Sequence, residues 1–128
     1  MSRELIERRI EKAESTFMED LRLFEMGYYN GAVNRFYYAA FHGMRAVLAT
    51  KELDSSKHSG VISLFNRYFI KPGLISKRAS KTVTKVFSER SHADYDDFKV
   101  FHQAEVEKLK EDVREFLEEV KDVISEQI

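Results

Sequence analysis

The stretch Gly31-Ala-Val-Asn-Arg-Phe-Tyr-Tyr-Ala-Ala-Phe-His-Gly-Met-Arg-Ala-Val-Leu48 decides the class of this chain. It has no proline and few β-branched residues, so it predicts one continuous helix. Val33, Phe36, Ala40 and Val47 recur at the spacing of a core-facing side. Arg35, Tyr38 and His42 stand at i, i+3 and i+7 and share a different face. Ala39, Ala40 and Gly43 are small enough to let a neighbouring helix come close. Packing alone does not call for a tyrosine pair followed by a histidine. Polar aromatic tips aimed one way point to a polar pocket or a self-association surface.

Working outward, helical spacing continues in both directions. Residues 2–26 predict a first helix whose Ile6, Ile10, Ala13, Phe17, Leu21 and Phe24 step by three or four, with Gly27 as its C-cap. The second helix spans 28–50. Residues 51–57 are polar, include Asp54-Ser55-Ser56 and read as a loop with N-cap candidates. A third helix is expected over 58–69, with Ile62, Phe65 and Phe69 inward, until Lys71-Pro72-Gly73 breaks it. A fourth is expected over 76–91, with Ile75, Ala79, Val83 and Val86 as its apolar stripe. Lys77, Lys81 and Lys85 make a separate basic stripe on it. The fifth is expected from Asp96 almost to Ile128. Asp96 and Asp97 suit its N-terminus, and Phe98, Phe101, Leu109, Val113, Phe116, Val120 and Val123 form its buried face. No alternating run is long enough to read as a strand. The expectation is a single all-α domain, an up-and-down bundle of four long helices and one short.

Composition narrows the function classes. The 128 residues suit one core, and the net charge of −1 excludes a generic nucleic-acid binder. No cysteine is present, which excludes disulfides, thiolate metal sites and cysteine nucleophiles and fits a reducing compartment. No apolar run reaches the ~20 residues of a membrane span, and the opening residues mix both charges without a signal-peptide core. A cytoplasmic location and no membrane partner are expected.

Two patches coincide in this helical frame. One is Asn34-Arg-Phe-Tyr-Tyr-Ala-Ala-Phe-His42, followed by Lys57-His58-Ser-Gly-Val61. The other is Arg90-Ser-His-Ala-Asp-Tyr95. In this order and spacing the chain resembles the HEPN superfamily, in particular its small single-domain prokaryotic members. The resemblance implies a helical bundle that dimerises and often pairs with a minimal nucleotidyltransferase in toxin–antitoxin modules. Many HEPN proteins are metal-independent ribonucleases, with a signature of arginine, four to six residues, then histidine, assembled across the dimer. This chain departs from that signature. It reads Arg-x-x-Ala-Asp-Tyr, and its nearest following histidine, His92, is two residues after Arg90, about 200° round a helix.

The candidate catalytic residues are therefore Arg90, His42 and His92. The candidate nucleotide- or phosphate-contacting residues are Arg35, Tyr38, His58, Arg90, Asp94 and Tyr95. An arginine on the apolar side of the fourth helix is costly unless paired. It either closes an ion pair with Asp94 or offers its fork to an oxyanion. His42 and Tyr38 are one turn apart and either satisfy each other or line the pocket of Arg90, with His42 moving a proton. The resemblance also implies that a partner nucleotidyltransferase can adenylylate a tyrosine beside the motif, and Tyr95 occupies such a place. Its plainer role is a hydroxyl bonded to Arg90 or to a carbonyl. No cofactor or metal is expected, since His42 and His58 lie on different elements. Residues 71–90 hold six basic residues and one acidic. Such stripes are usually solvated faces, but they can bind RNA backbone; DNA is not expected. Two functions follow. The first is a dimeric binding or regulatory partner of a minimal nucleotidyltransferase that can bind nucleotide. The second is a metal-independent ribonuclease toxin with a non-canonical site.

Overall fold

The computed structural model describes residues 2–128. It is built from α1 (Arg3–Glu25), α2 (Tyr29–Ala49), α3 (His58–Phe65), a π-helical turn (Asn66–Ile70), α4 (Lys77–Tyr95) and α5 (Gln103–Gln127). The all-α bundle expected from the sequence is what forms.

Helix α2 is the axis and touches all four other helices. Its core side carries Ala32, Val33, Phe36, Ala40, Met44, Val47 and Leu48, all fully buried. Helix α1 runs antiparallel to it, joined by a turn in which Gly27 takes φ +81°, a conformation that glycine adopts without a Cβ clash. Gly43 lies directly against α5. A Cβ there would stand 2.9 Å from Leu117 Cδ2 and 3.4 Å from Phe116 Cε1. The small residue foreseen as a packing notch is thus where α5 seats. Phe65 connects this layer to α3, its ring 5.8 Å from that of Phe116.

Three boundaries differ from expectation. The third helix keeps α-helical pairing only to Phe65 and then widens into the π turn, which still buries Phe69. Helix α4 runs on to Tyr95, past the expected end at residue 91. Helix α5 starts at Gln103, not at Asp96. Asp96 leaves the helix with φ −101° and ψ 104°, and its side chain accepts the Phe98 N–H at 3.0 Å. A side-chain bond of this kind offers the backbone an alternative to helix. The true start is fixed at His102, which lies at the N-cap rather than within α5, and whose N–H is held by the Glu105 carboxylate at 2.8 Å. Phe98, expected in the core, is therefore 93% exposed, whereas Phe101 is buried.

Candidate functional site

The site forms where the outer face of α2 meets the start of α3 and the last turns of α4. Its first support is a loop. Asp54 accepts from Arg45 Nη2 at 2.9 Å and from Arg9 Nη2 at 3.1 Å, so both guanidinium groups converge on one carboxylate. The hydrogen bond from Arg45 is the main reason that its pKa falls to about 2. Gly60 lets Ser55 fold against the first turn of α3, since a Cβ at position 60 would collide with the Ser55 side chain. The loop so pinned delivers His58 as the first residue of α3.

His58 meets α2 through its ring. Its Nδ1 lies 2.8 Å from the Tyr37 hydroxyl, and its ring centroid is 4.3 Å from that of Phe41. Tyr37 is fully buried, and burial pushes its phenol up to about 12 despite the nearby Arg90 charge. From the other side comes Arg90. Its guanidinium carbon lies 4.8 Å from the Tyr37 ring centre and 5.3 Å from that of Tyr38. Its Nη2 donates to the Tyr38 hydroxyl at 3.2 Å. Its Nε is 3.3 Å from Asp94 Oδ2, a charge contact off the hydrogen-bond line, since the buried Nε has no aligned acceptor. Asp94 is held in turn by Asn34, whose Nδ2 donates to Oδ1 at 3.0 Å. This uninterrupted stretch of α4 places Arg90 and Asp94 one turn apart on one side.

Of the residues singled out from sequence, Arg90, Tyr38, Asp94 and His58 come together. His42 stands at the rim, its ring 6.5 Å from that of Tyr38. Burial, aided by Lys12, Arg45 and Arg35, lowers its pKa to about 4, so it is neutral at pH 7. Burial and Arg90 also lower that of His58. Arg35 pairs with Glu19 at 3.1 Å while its guanidinium carbon lies over the Tyr38 ring, 5.9 Å from its centre, so it borders the cluster without bonding to Arg90 or Asp94. His92 and Tyr95 stay outside. His92 sits 3.6 Å from Asp96, and Tyr95 is 80% exposed. Two members were not singled out, Tyr37 and Asn34. Asn34 lies one turn before Tyr38, a spacing that could have found it. For Tyr37 no spacing separated a site residue from a core residue, and it is both. Among the described residues no three His, Asp or Glu side chains gather as a metal-binding set, and no helix is long and apolar enough to cross a membrane.

This arrangement occurs inside a recognisable domain, for the model of the HEPN domain matches residues 6–123. The chain belongs to the HEPN family. A protein of Methanocaldococcus jannaschii named "Putative toxin" is 37% identical over 124 residues, 97% of this chain and 92% of that one. A UPF0332 protein of Thermotoga maritima is 36% identical over 97 residues, 76% of this chain and 74% of its own. The crystal structure of an archaeal HEPN homologue superposes with a TM-score of 0.75 at 18% identity, covering 97% of this chain and 99% of the other. The HEPN fold thus accounts for the whole bundle. Within it, the Arg90 cluster brings a guanidinium, a carboxylate, two phenols and a neutral imidazole to one place.

Proposed function

We propose that this chain is the HEPN component of a toxin–antitoxin-type pair, a homodimer that binds a minimal nucleotidyltransferase and holds a nucleotide phosphate at Arg90. Family membership and the toxin name of the Methanocaldococcus relative support the module class. The observation that carries the binding role is the cage around Arg90. Its guanidinium lies 4.8 Å from one tyrosine ring centre and 5.3 Å from another, and its charge is met by a single carboxylate, Asp94. A carboxylate and a phosphate present similar oxygens to an arginine fork, so a phosphate can exchange with Asp94 without rebuilding the cage. Cleavage would further need a proton acceptor within reach. His92, the histidine nearest to Arg90 in sequence, lies against Asp96 instead.

The test is co-expression of tagged protein with the nucleotidyltransferase gene beside its own. The complex is expected to survive size-exclusion chromatography at a mass containing two copies of this chain. Titration calorimetry with ATP should show binding that Arg90→Ala removes. A monomer that retains no nucleotidyltransferase and binds no ATP overturns the proposal.

One observation favours the ribonuclease reading. His58 shares Tyr37 with Arg90, and burial and the Arg90 charge both lower its pKa, so it, rather than His42 or His92, is the histidine set to exchange a proton beside that arginine. Under that reading purified protein cleaves RNA, and His58→Ala and Arg90→Ala each abolish cleavage while His92→Ala does not.

A further inference from the structure

Helices α1 and α5 give no side chain to the Arg90 cage, and the seam between them is left open. They run antiparallel, since Ile6 and Ile124 line one cavity together while Phe17 and Leu117 line a second. The first cavity, of about 230 Å³, is floored by Ile6, Ile10 and Ile124. The second, of about 250 Å³, is floored by Phe17, Met18 and Leu117. Deeper in the bundle Phe36 and Met44 are fully sealed, but Ile6, Phe17, Leu117 and Ile124 keep 4–7% of their surface open, and Met18 is 57% exposed. A methionine in such a place is a flexible, polarisable contact that adapts to what packs on it.

An ion pair sets the two cavities apart. Lys121, between Leu117 and Ile124 on α5, reaches Glu14, between Ile10 and Phe17 on α1, at 3.1 Å across the seam. Ile10 and Phe17 are seven residues apart, ~10.5 Å along α1. A helix lying in the seam has that same rise between its own positions i and i+7. Its positions i+3 and i+4 pass over the Lys121–Glu14 bridge, so only small side chains fit there. The rims are charged. Arg114 is held by Glu111 at 3.5 Å and covers the Phe17 ring at 5.3 Å. Glu7 pairs with Arg3 at 3.0 Å. Glu11 and Glu118 also line the cavities, and among the described residues they have no cationic partner. From Gln103 onward the chain carries nine acidic and four basic residues. The free charge along the seam is therefore negative.

We propose that the α1–α5 seam is a docking groove for a basic amphipathic helix of a partner protein, with large apolar side chains seven residues apart and lysines or arginines on its flanks. The inference stands apart from the phosphate and nucleotidyltransferase readings, because no residue of the Arg90 cage takes part. A third helix laid along two antiparallel ones extends the bundle by the same ridge-into-groove packing that builds it, and apolar anchors at i and i+7 are how helices are read by such grooves. The unpaired carboxylates choose the occupant. They repel nucleic acid and anionic lipid and favour cationic flanks. A second copy of this chain offers no matching helix, since the apolar stripes of its helices are already packed in its own core.

The experiment measures fluorescence anisotropy of a labelled synthetic fifteen-residue peptide. It has leucines seven positions apart, alanines at the third and fourth positions after the first leucine and on the outer side, and lysines on its flanks. The peptide should bind the parent protein and gain helicity as it does. Met18→Lys and Glu11→Lys/Glu118→Lys, all at exposed positions, put like charge against the lysines and should each weaken binding about tenfold. Glu25→Lys/Asp97→Lys makes the same charge change at exposed positions outside the seam and should alter binding by less than about twofold. Moving the second leucine by two positions should weaken the peptide about tenfold, because that anchor then leaves its face of the helix. Circular dichroism confirms that each variant is folded. A parent that does not bind the peptide, a loss just as large in the control variant, or equal affinity for the peptide with displaced leucine overturns the proposal. So does a parent dimer that Met18→Lys breaks in size-exclusion chromatography, which would assign the seam to a second copy.

Discussion

Arg90 occupies the apolar side of α4, where an unpaired guanidinium would be strongly disfavoured. Its position is made tolerable by geometry that only an arginine satisfies. The planar group rests against two phenol rings, donates to the Tyr38 hydroxyl and leaves its charge beside Asp94. Lysine keeps the charge but has neither the flat face nor the fork. Arg90→Lys should therefore cost about 1–3 kcal/mol, in the range of a lost hydrogen bond to a charged group, read as a lower urea midpoint. A variant as stable as the parent would show the cage to be incidental. Tyr37 tests the opposite wall. Its hydroxyl partners His58 Nδ1 at 2.8 Å inside the core. Tyr37→Phe leaves that nitrogen without its partner, at an expected cost of about 1–2 kcal/mol by the same measurement. Tyr28→Phe, on an exposed ring, should be neutral.

Among the elements, the α2–α5 contact depends on one missing side chain. Gly43→Ala has two opposed effects. It gains about 1 kcal/mol of helix propensity, and it forces Leu117 Cδ2, the flexible end of its side chain, to yield from 2.9 Å. The net should be near zero. Gly43→Val adds volume that Phe116 cannot yield to and should destabilise by about 1–3 kcal/mol, checked by thermal unfolding; equal stability of the two variants would place the α5 contact elsewhere. The notch, the core stripes and the breaks at Gly27 and Pro72 were legible in the sequence because each is a local matter of period or backbone freedom. The start of α5 was not. Asp96 and Asp97 have the residue types of a helix N-terminus, but the competing Asp96–Phe98 turn and the His102–Glu105 cap are separate local equilibria whose balance no period reveals. The site divides in the same way. Tyr38, Arg90 and Asp94 could be placed from spacing along their helices. The proximity of His58 to Tyr37 could not, because it depends on a loop anchored by Arg9, 45 residues away in sequence.

Two groups with large shifts respond to pH in opposite directions, the buried Asp20 and the half-buried His42. Asp20 on α1 is fully buried, and neither carboxyl oxygen has a hydrogen-bond partner. Burial, partly offset by Arg35, pushes its pKa up to about 9, so it is protonated at neutral pH. A folded-state pKa above the unfolded value of 3.8 means a contribution that is complete below pH 3.8 and is lost as pH rises toward 9. His42 has the reverse dependence. Its folded value of about 4 lies below the unfolded 6.5, so its contribution is complete above pH 6.5 and is lost as pH falls toward 4. Between pH 4 and 6.5 Asp20 opposes His42, and His58, whose pKa burial also lowers, adds to the His42 side, so stability should not fall with rising pH in this range. Between pH 6.5 and 9 only Asp20 acts, and stability should decline by at most about 1.4 kcal/mol per pH unit. Asp20→Asn keeps the shape and removes the titration. Urea midpoints across this range should fall steadily for the parent and stay level for the variant. A parent curve that is already level, or a variant that declines just as steeply, would mean that the α1–α2 seam admits enough water to keep Asp20 ionised.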